Sequence, residues 1–173
     1  RNFHCWKYRR WLEEVDAGRT AEQKRADELA YSLKRIREDF SNYSAWHARS
    51  LAMGAEGAMG AEEEKAEFEL VFNAMYTNPG DQALWMYVLW LAQRCKKVSL
   101  LVELAGHCEQ LLELDGEETG KWPLVALLHL QGPLKLEERS KEMRPKRSVA
   151  QLEETLERVD PLRKKYYQAL AKK

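Results

Sequence analysis

Asn2-Phe3-His4-Cys5-Trp6-Lys7-Tyr8-Arg9 returns, forty residues on, as Asn42-Tyr43-Ser44-Ala45-Trp46-His47-Ala48-Arg49. In both stretches the frame is Asn, an aromatic, two small or polar residues, Trp, two variable residues and Arg. A weaker copy, Asp81-Gln82-Ala83-Leu84-Trp85-Met86-Tyr87, places its Trp 39 residues after Trp46. A faint fourth, Lys121-Trp122-Pro123-Leu124, lies 37 residues beyond Trp85. Self-similarity at a fixed period near forty marks a repeat architecture, whose units must stack to bury their apolar faces.

Between the motifs the apolar residues step by three and four. Leu29, Leu33, Ile36 and Phe40 precede the second motif, and Phe68, Phe72 and Met75 precede the third. Leu101, Leu104, Cys108, Leu111 and Leu112 precede the fourth, and Leu152, Leu156 and Val159 lead to Asp160-Pro161. Such steps put side chains on one helical stripe. Each unit therefore reads as helix, short turn, Trp helix and loop, with Asn78-Pro79-Gly80 and Asp160-Pro161 as breakers. Asn2, Asn42 and Asp81 sit four residues before their Trp, where an N-cap side chain accepts a backbone N–H. The expectation is an all-α fold, an α-solenoid of helical hairpins forming a single domain over 1–173. Trp6, Trp46, Trp85 and Trp122 are expected in the core, and Arg9 and Arg49 are expected to tie hairpins together. Loose loops are expected near 54–61, which is rich in Gly and Ala, and 131–148, which holds Gly132, Pro133 and Pro145. Glu62-Glu63-Glu64 reads as a solvated helix start. Lys141, Arg144, Lys146 and Arg147 form a basic patch that reads first as a solvated loop, with contact to an acidic lipid or partner as the second reading.

Composition narrows the function classes. Lys plus Arg (28) balances Asp plus Glu (28), so the basic field that nucleic-acid binding needs is missing. No apolar run approaches the ~18 residues of a membrane span. Cys5, Cys95 and Cys108 are odd in number and widely spaced, which suits a reducing, cytoplasmic setting better than a disulfide framework. His4-Cys5 and His107-Cys108 lack zinc-site spacing, so neither a metal nor another cofactor is expected on this chain. Phosphate-binding loops, nucleophile elbows and HExxH are absent from the sequence, which disfavours a self-contained enzyme.

The Asn-aromatic-x-x-Trp-x-x-Arg motifs resemble the repeat of protein prenyltransferase α subunits. Arg1 to Arg10, Phe40 to His47, Thr77 to Trp85 and Val159 to Arg163 look most like the α subunits of Rab geranylgeranyltransferases. The third motif departs from the pattern, with Val88 and Leu89 where the family offers a His-Arg pair, so that hairpin is expected to pack by apolar contact. Two alternatives stand beside this reading. One is the α subunit shared by farnesyl and type I geranylgeranyl transferases, and the other is a tetratricopeptide-like peptide-binding scaffold.

The resemblance implies a crescent of hairpins that wraps a β subunit. Zinc and the isoprenoid pocket would lie in that partner. The reaction would join geranylgeranyl, from its diphosphate, to C-terminal cysteines of Rab GTPases presented by a Rab escort protein. Phe3 and His4 would lie near the active site. Phe3, His4, Tyr43 and His47 would meet the β subunit, with Arg9 and Arg49 braced behind them. The escort protein would dock on helices between Glu62 and Leu114. A diphosphate-contacting lysine in related α subunits belongs to the repeat before Asn2 and is not assigned to any residue here.

Overall fold

A computed structural model describes residues 3–54, 59–116, 120–135 and 146–172. Asn2, the side chain of Phe3, residues 55–58 of the Gly/Ala loop, and residues 136–145, which include Lys141 and Arg144, lie outside the described set. The described residues are helical with no strand among them, and they group into two compact units, 1–60 and 61–173.

In the first unit α1 (Phe3–Val15), α2 (Ala21–Glu38) and α3 (Tyr43–Gly54) follow one another. Thr20 starts α2 with a reciprocal cap: its hydroxyl accepts the Gln23 N–H at 3.2 Å, while Gln23 accepts the Thr20 N–H at 2.9 Å. Asn42 starts α3, its Oδ1 accepting the Ala45 N–H at 3.2 Å. Trp46 is buried and its indole donates to the Phe40 carbonyl at 2.7 Å, closing the turn between α2 and α3. Arg49, also buried, donates to the Leu29 carbonyl at 2.9 Å, so it braces its own hairpin. Arg9 instead leaves α1 for the first helix of the next hairpin, bonding Glu28 at 3.0 Å with its guanidinium over the Tyr31 ring at 4.0 Å. Trp6 meets the same ring edge-on at 5.3 Å.

The second unit holds three hairpins: α4 (Ala61–Thr77) with α5 (Gln82–Arg94), α6 (Val98–Asp115) with α7 (Lys121–Lys135), and α8 (Val149–Val159) with α9 (Lys164–Ala171). Asp81 caps α5, accepting the Ala83 N–H at 2.7 Å. The Trp85 indole donates to the Pro79 carbonyl at 2.6 Å, again six residues back. Val88 takes the place of Arg49 and is buried. The polar brace of this hairpin has moved by one residue, for the Tyr87 hydroxyl donates to the buried Glu67 carboxylate at 2.5 Å.

The fourth motif needs a correction. The N–H of Trp46 bonds the Asn42 carbonyl at 3.2 Å, that of Trp85 the Asp81 carbonyl at 3.3 Å, and that of Leu124 the Gly120 carbonyl at 3.1 Å. The equivalent of the motif tryptophan in α7 is therefore Leu124, which is 0% exposed, while Trp122 is half-buried with the Lys121 ammonium 5.0 Å from its ring centre. Two residues along a helix turn a side chain roughly 200° away, so Trp122 and Leu124 cannot share a face. A Cβ on Gly120 would come 2.2 Å from Leu112 Cδ2, so a larger residue there would make the Leu112 side chain shift. In α9 the same register falls on Tyr167, which is buried.

Three other expectations change. Glu64 is not a solvated end: it is buried and accepts the Lys96 N–H at 2.9 Å, because it sits on the same stripe as Glu67, Phe68 and Val71. The loop expected from Gln131 begins later, since α7 runs through Gly132 and Pro133 to Lys135. The described part of the basic patch is engaged by α6, Lys146 pairing with Glu113 at 2.8 Å and Arg147 with Glu109.

Candidate partner-binding surface

On α3 and α5 the cap residue and the fourth residue face inward, and the first and fifth face out. On α3 these are Tyr43 and His47, which stack with ring centres 5.9 Å apart and planes 11° from parallel. Tyr43 is 57% exposed, a large area for an aromatic ring. His4 is exposed at the head of α1. Within the first unit the helix starts thus present aromatic and imidazole groups outward.

In the second unit the same register gives Gln82 and Met86, and there the surface opens into a hollow of about 390 Å³. Its walls are Met86 and Leu89 of α5, Trp122 and Val125 of α7, and Tyr166 and Tyr167 of α9, with Lys121 and Arg163 among its lining. Asp160 anchors both cations, Lys121 at 2.8 Å and Arg163 at 2.8 Å, and accepts the Tyr167 hydroxyl at 2.8 Å. The Lys121 ammonium, then Arg163 and Tyr167, hold the Asp160 carboxyl well below its ordinary value, while burial and the neighbouring carboxylate push the Tyr167 phenol up. A lowered folded-state pKa means stability that is present above the unfolded value of 3.8 and lost as pH falls beneath it. Asp160→Asn should therefore flatten the acid limb of a urea-midpoint profile; an unchanged limb refutes the role given to this carboxylate. The cluster was visible in the sequence only as a turn at Asp160-Pro161.

Among the described residues no group of three or more His, Cys, Asp or Glu side chains is placed to hold a metal ion. Cys108 is fully buried and burial pushes its thiol up; Cys95 is pushed up to about 12, by burial and then by Glu64. Neither is a thiolate at neutral pH.

After α1 the helices form hairpin repeats, with Trp46, Trp85, Leu124 and Tyr167 buried at the fourth position of each second helix, the position Trp6 holds in α1. Residues 25–55, which span the α2–α3 hairpin, match the protein prenyltransferase alpha subunit repeat. The chain belongs to the protein prenyltransferase α-subunit repeat family. It is 33% identical over 184 residues to the geranylgeranyl transferase type-2 subunit alpha of Saccharomyces cerevisiae, a match covering 96% of this chain and 55% of that relative. It is 41% identical over 103 residues to the corresponding subunit of Sus scrofa, covering 54% of this chain and 17% of the relative. The chain thus spans about half the length of the yeast relative, and the match a smaller part of the mammalian one. Among solved structures, the Candida albicans protein geranylgeranyltransferase-I complexed with GGPP superposes with a TM-score of 0.68 at 21% identity, over 99% of this chain and 53% of that one. That likeness concerns the fold.

Proposed function

We propose that this chain is part of the α subunit of a Rab geranylgeranyltransferase, the heterodimer that transfers geranylgeranyl from its diphosphate to C-terminal cysteines of Rab GTPases. The observation that carries this reading is the similarity to a type-2 α subunit along 96% of the chain, at 33% identity. The type I enzyme, the second reading, is matched in fold at 21%. The chain's own part is to dock and orient. Zinc, in this proposal, is the partner subunit's, since the described residues offer no converging set of ligands. Tyr43, His47 and His4 form the β-facing edge, and a Rab escort protein docks on α4 to α6, where the Tyr76 hydroxyl meets His107 and Gln110, each at 2.7 Å. The setting proposed is cytoplasmic; among the described residues no helix is long and apolar enough to cross a membrane.

The test is coexpression of the chain with a type-2 β subunit or with a CaaX-type β subunit, followed by affinity capture. Capture of the type-2 subunit alone is the expected result, and a preference for the CaaX-type subunit, or for neither, overturns the reading. The purified chain should show no transfer to Rab when escort protein and geranylgeranyl diphosphate are supplied without a β subunit. Tyr43→Ala should weaken β binding by more than about 1 kcal/mol, because exposed aromatic anchors carry much of an interface's energy. Tyr43 lies on the surface, so the variant is expected to fold, and unchanged affinity would show that α3 faces elsewhere.

A further inference from the structure

We propose that the hollow at the starts of α5, α7 and α9 receives an extended segment of the partner subunit, one that carries a bulky apolar side chain beside a carboxylate. This rests on the α-subunit reading and names what the second unit adds to it.

Shape supplies the first argument. At the register where α3 projects the stacked Tyr43–His47 pair, α5 offers Gln82 and Met86, and α7 and α9 build aromatic walls around the recess. A recess of this kind is filled by a side chain that projects from another polypeptide. About 390 Å³ of space is within the range of sites that hold a ligand-sized group. The exposure of Tyr166 and Met86 beside the half-buried Trp122 also has a physical reading. Aromatic and methionine side chains left at the surface around a recess are the residue types enriched in binding surfaces.

Charge supplies the second. Two cations, Lys121 and Arg163, share one carboxylate, Asp160, so among the described residues the recess carries a surplus positive charge. The other polar groups facing it are the neutral Gln82, the Tyr167 hydroxyl already given to Asp160, and the Tyr166 hydroxyl, which lies 3.2 Å from His129 Nε2. Among the described lining residues an entering carboxylate finds donors and no second acid to repel it. Arg163 is more than half exposed and presents further N–H groups than the one bound to Asp160. A segment that is apolar alone leaves this surplus uncompensated, and one that is acidic alone leaves the aromatic walls wet.

The experiment uses the whole chain coexpressed with a type-2 β subunit. Four variants are compared by calorimetric titration at two salt concentrations: Met86→Glu, Lys121→Gln, Arg163→Gln, and Lys65→Gln as an exposed control on α4. Met86→Glu is expected to weaken association about tenfold or more, and each Gln variant a few-fold with a shallower salt dependence, while the control is unchanged. In parallel a photocrosslinking phenylalanine derivative replaces Met86, and the adduct is mapped by mass spectrometry. Crosslinking to a β-subunit segment with an acidic residue beside a bulky apolar one supports the proposal. Crosslinking to a second copy of this chain, to an escort protein or Rab, or to a β segment without an acid overturns it. If wild type binds β and Tyr43→Ala weakens binding but the recess variants do not, this inference fails while the α-subunit reading stands. If wild type does not bind β at all, both fail.

Discussion

Replacing Trp85 with alanine is expected to lower the unfolding free energy by about 3–5 kcal/mol, measured by urea denaturation. The indole is 0% exposed, so its removal leaves a cavity as well as forfeiting the transfer of its apolar area from water. It also strips the Pro79 carbonyl of the donor 2.6 Å away, and that bond closes the turn between α4 and α5. Trp122→Ala is the matched comparison, because the same atoms are deleted from a half-buried position two residues off the inward register. It should cost much less. If the two variants are equally destabilised, the assignment of Leu124 to the repeat's core position is wrong.

Arg147→Ala is the second large effect, about 3 kcal/mol. Its guanidinium pairs with Glu109, whose side chain is nearly inaccessible and whose other oxygen has no hydrogen-bond partner. Removing the cation strands a buried carboxylate. Because Arg147 is itself partly exposed, solvent screens part of the attraction and sets the estimate at the lower end of the range for broken buried pairs. Adding Glu109→Gln to Arg147→Ala should recover much of the loss, since a neutral amide costs less to leave in that place. Lys146→Ala, which breaks the exposed pair with Glu113, should change stability by less than about 1 kcal/mol. A single variant Arg147→Ala as stable as the parent removes the case for a clamp on α6.

The helical hairpins could be read from the chain because tryptophan is rare and its spacing is regular. Trp6, Trp46 and Trp85 gave the register without any structure. At the fourth repeat tryptophan is a false marker, because Trp122 lies two residues from the core position that Leu124 occupies. Leucine fills the layer without announcing itself, and nothing in composition separates it from its neighbours. Tyr167 is hard to recognise for a related reason: the residue is large and aromatic, but no Asn-aromatic-x-x-Trp frame surrounds it. The braces between helices were legible where the motif arginine persists, at Arg9 and Arg49. In the third hairpin Val88 ended the pattern, and the sequence offered no sign that Tyr87 and Glu67 had taken over the task. The recess on the second unit depends on three helices converging, a property no single stretch encodes. Tyr43 and His47 lie four apart on one helix, so their stacking was within reach of spacing alone.

The indole clasps have a consequence for how quickly the chain acquires its structure. Each joins residues only six apart, the hairpin braces reach about twenty, and the longest polar link named above, Lys121 to Asp160, spans 39. Chains whose native links are this local form them early in the search, and those of low contact order fold in microseconds to milliseconds. A hairpin closed by its own clasp can nucleate by itself and recruit its neighbour. Folding can then begin at more than one repeat and spread along the array.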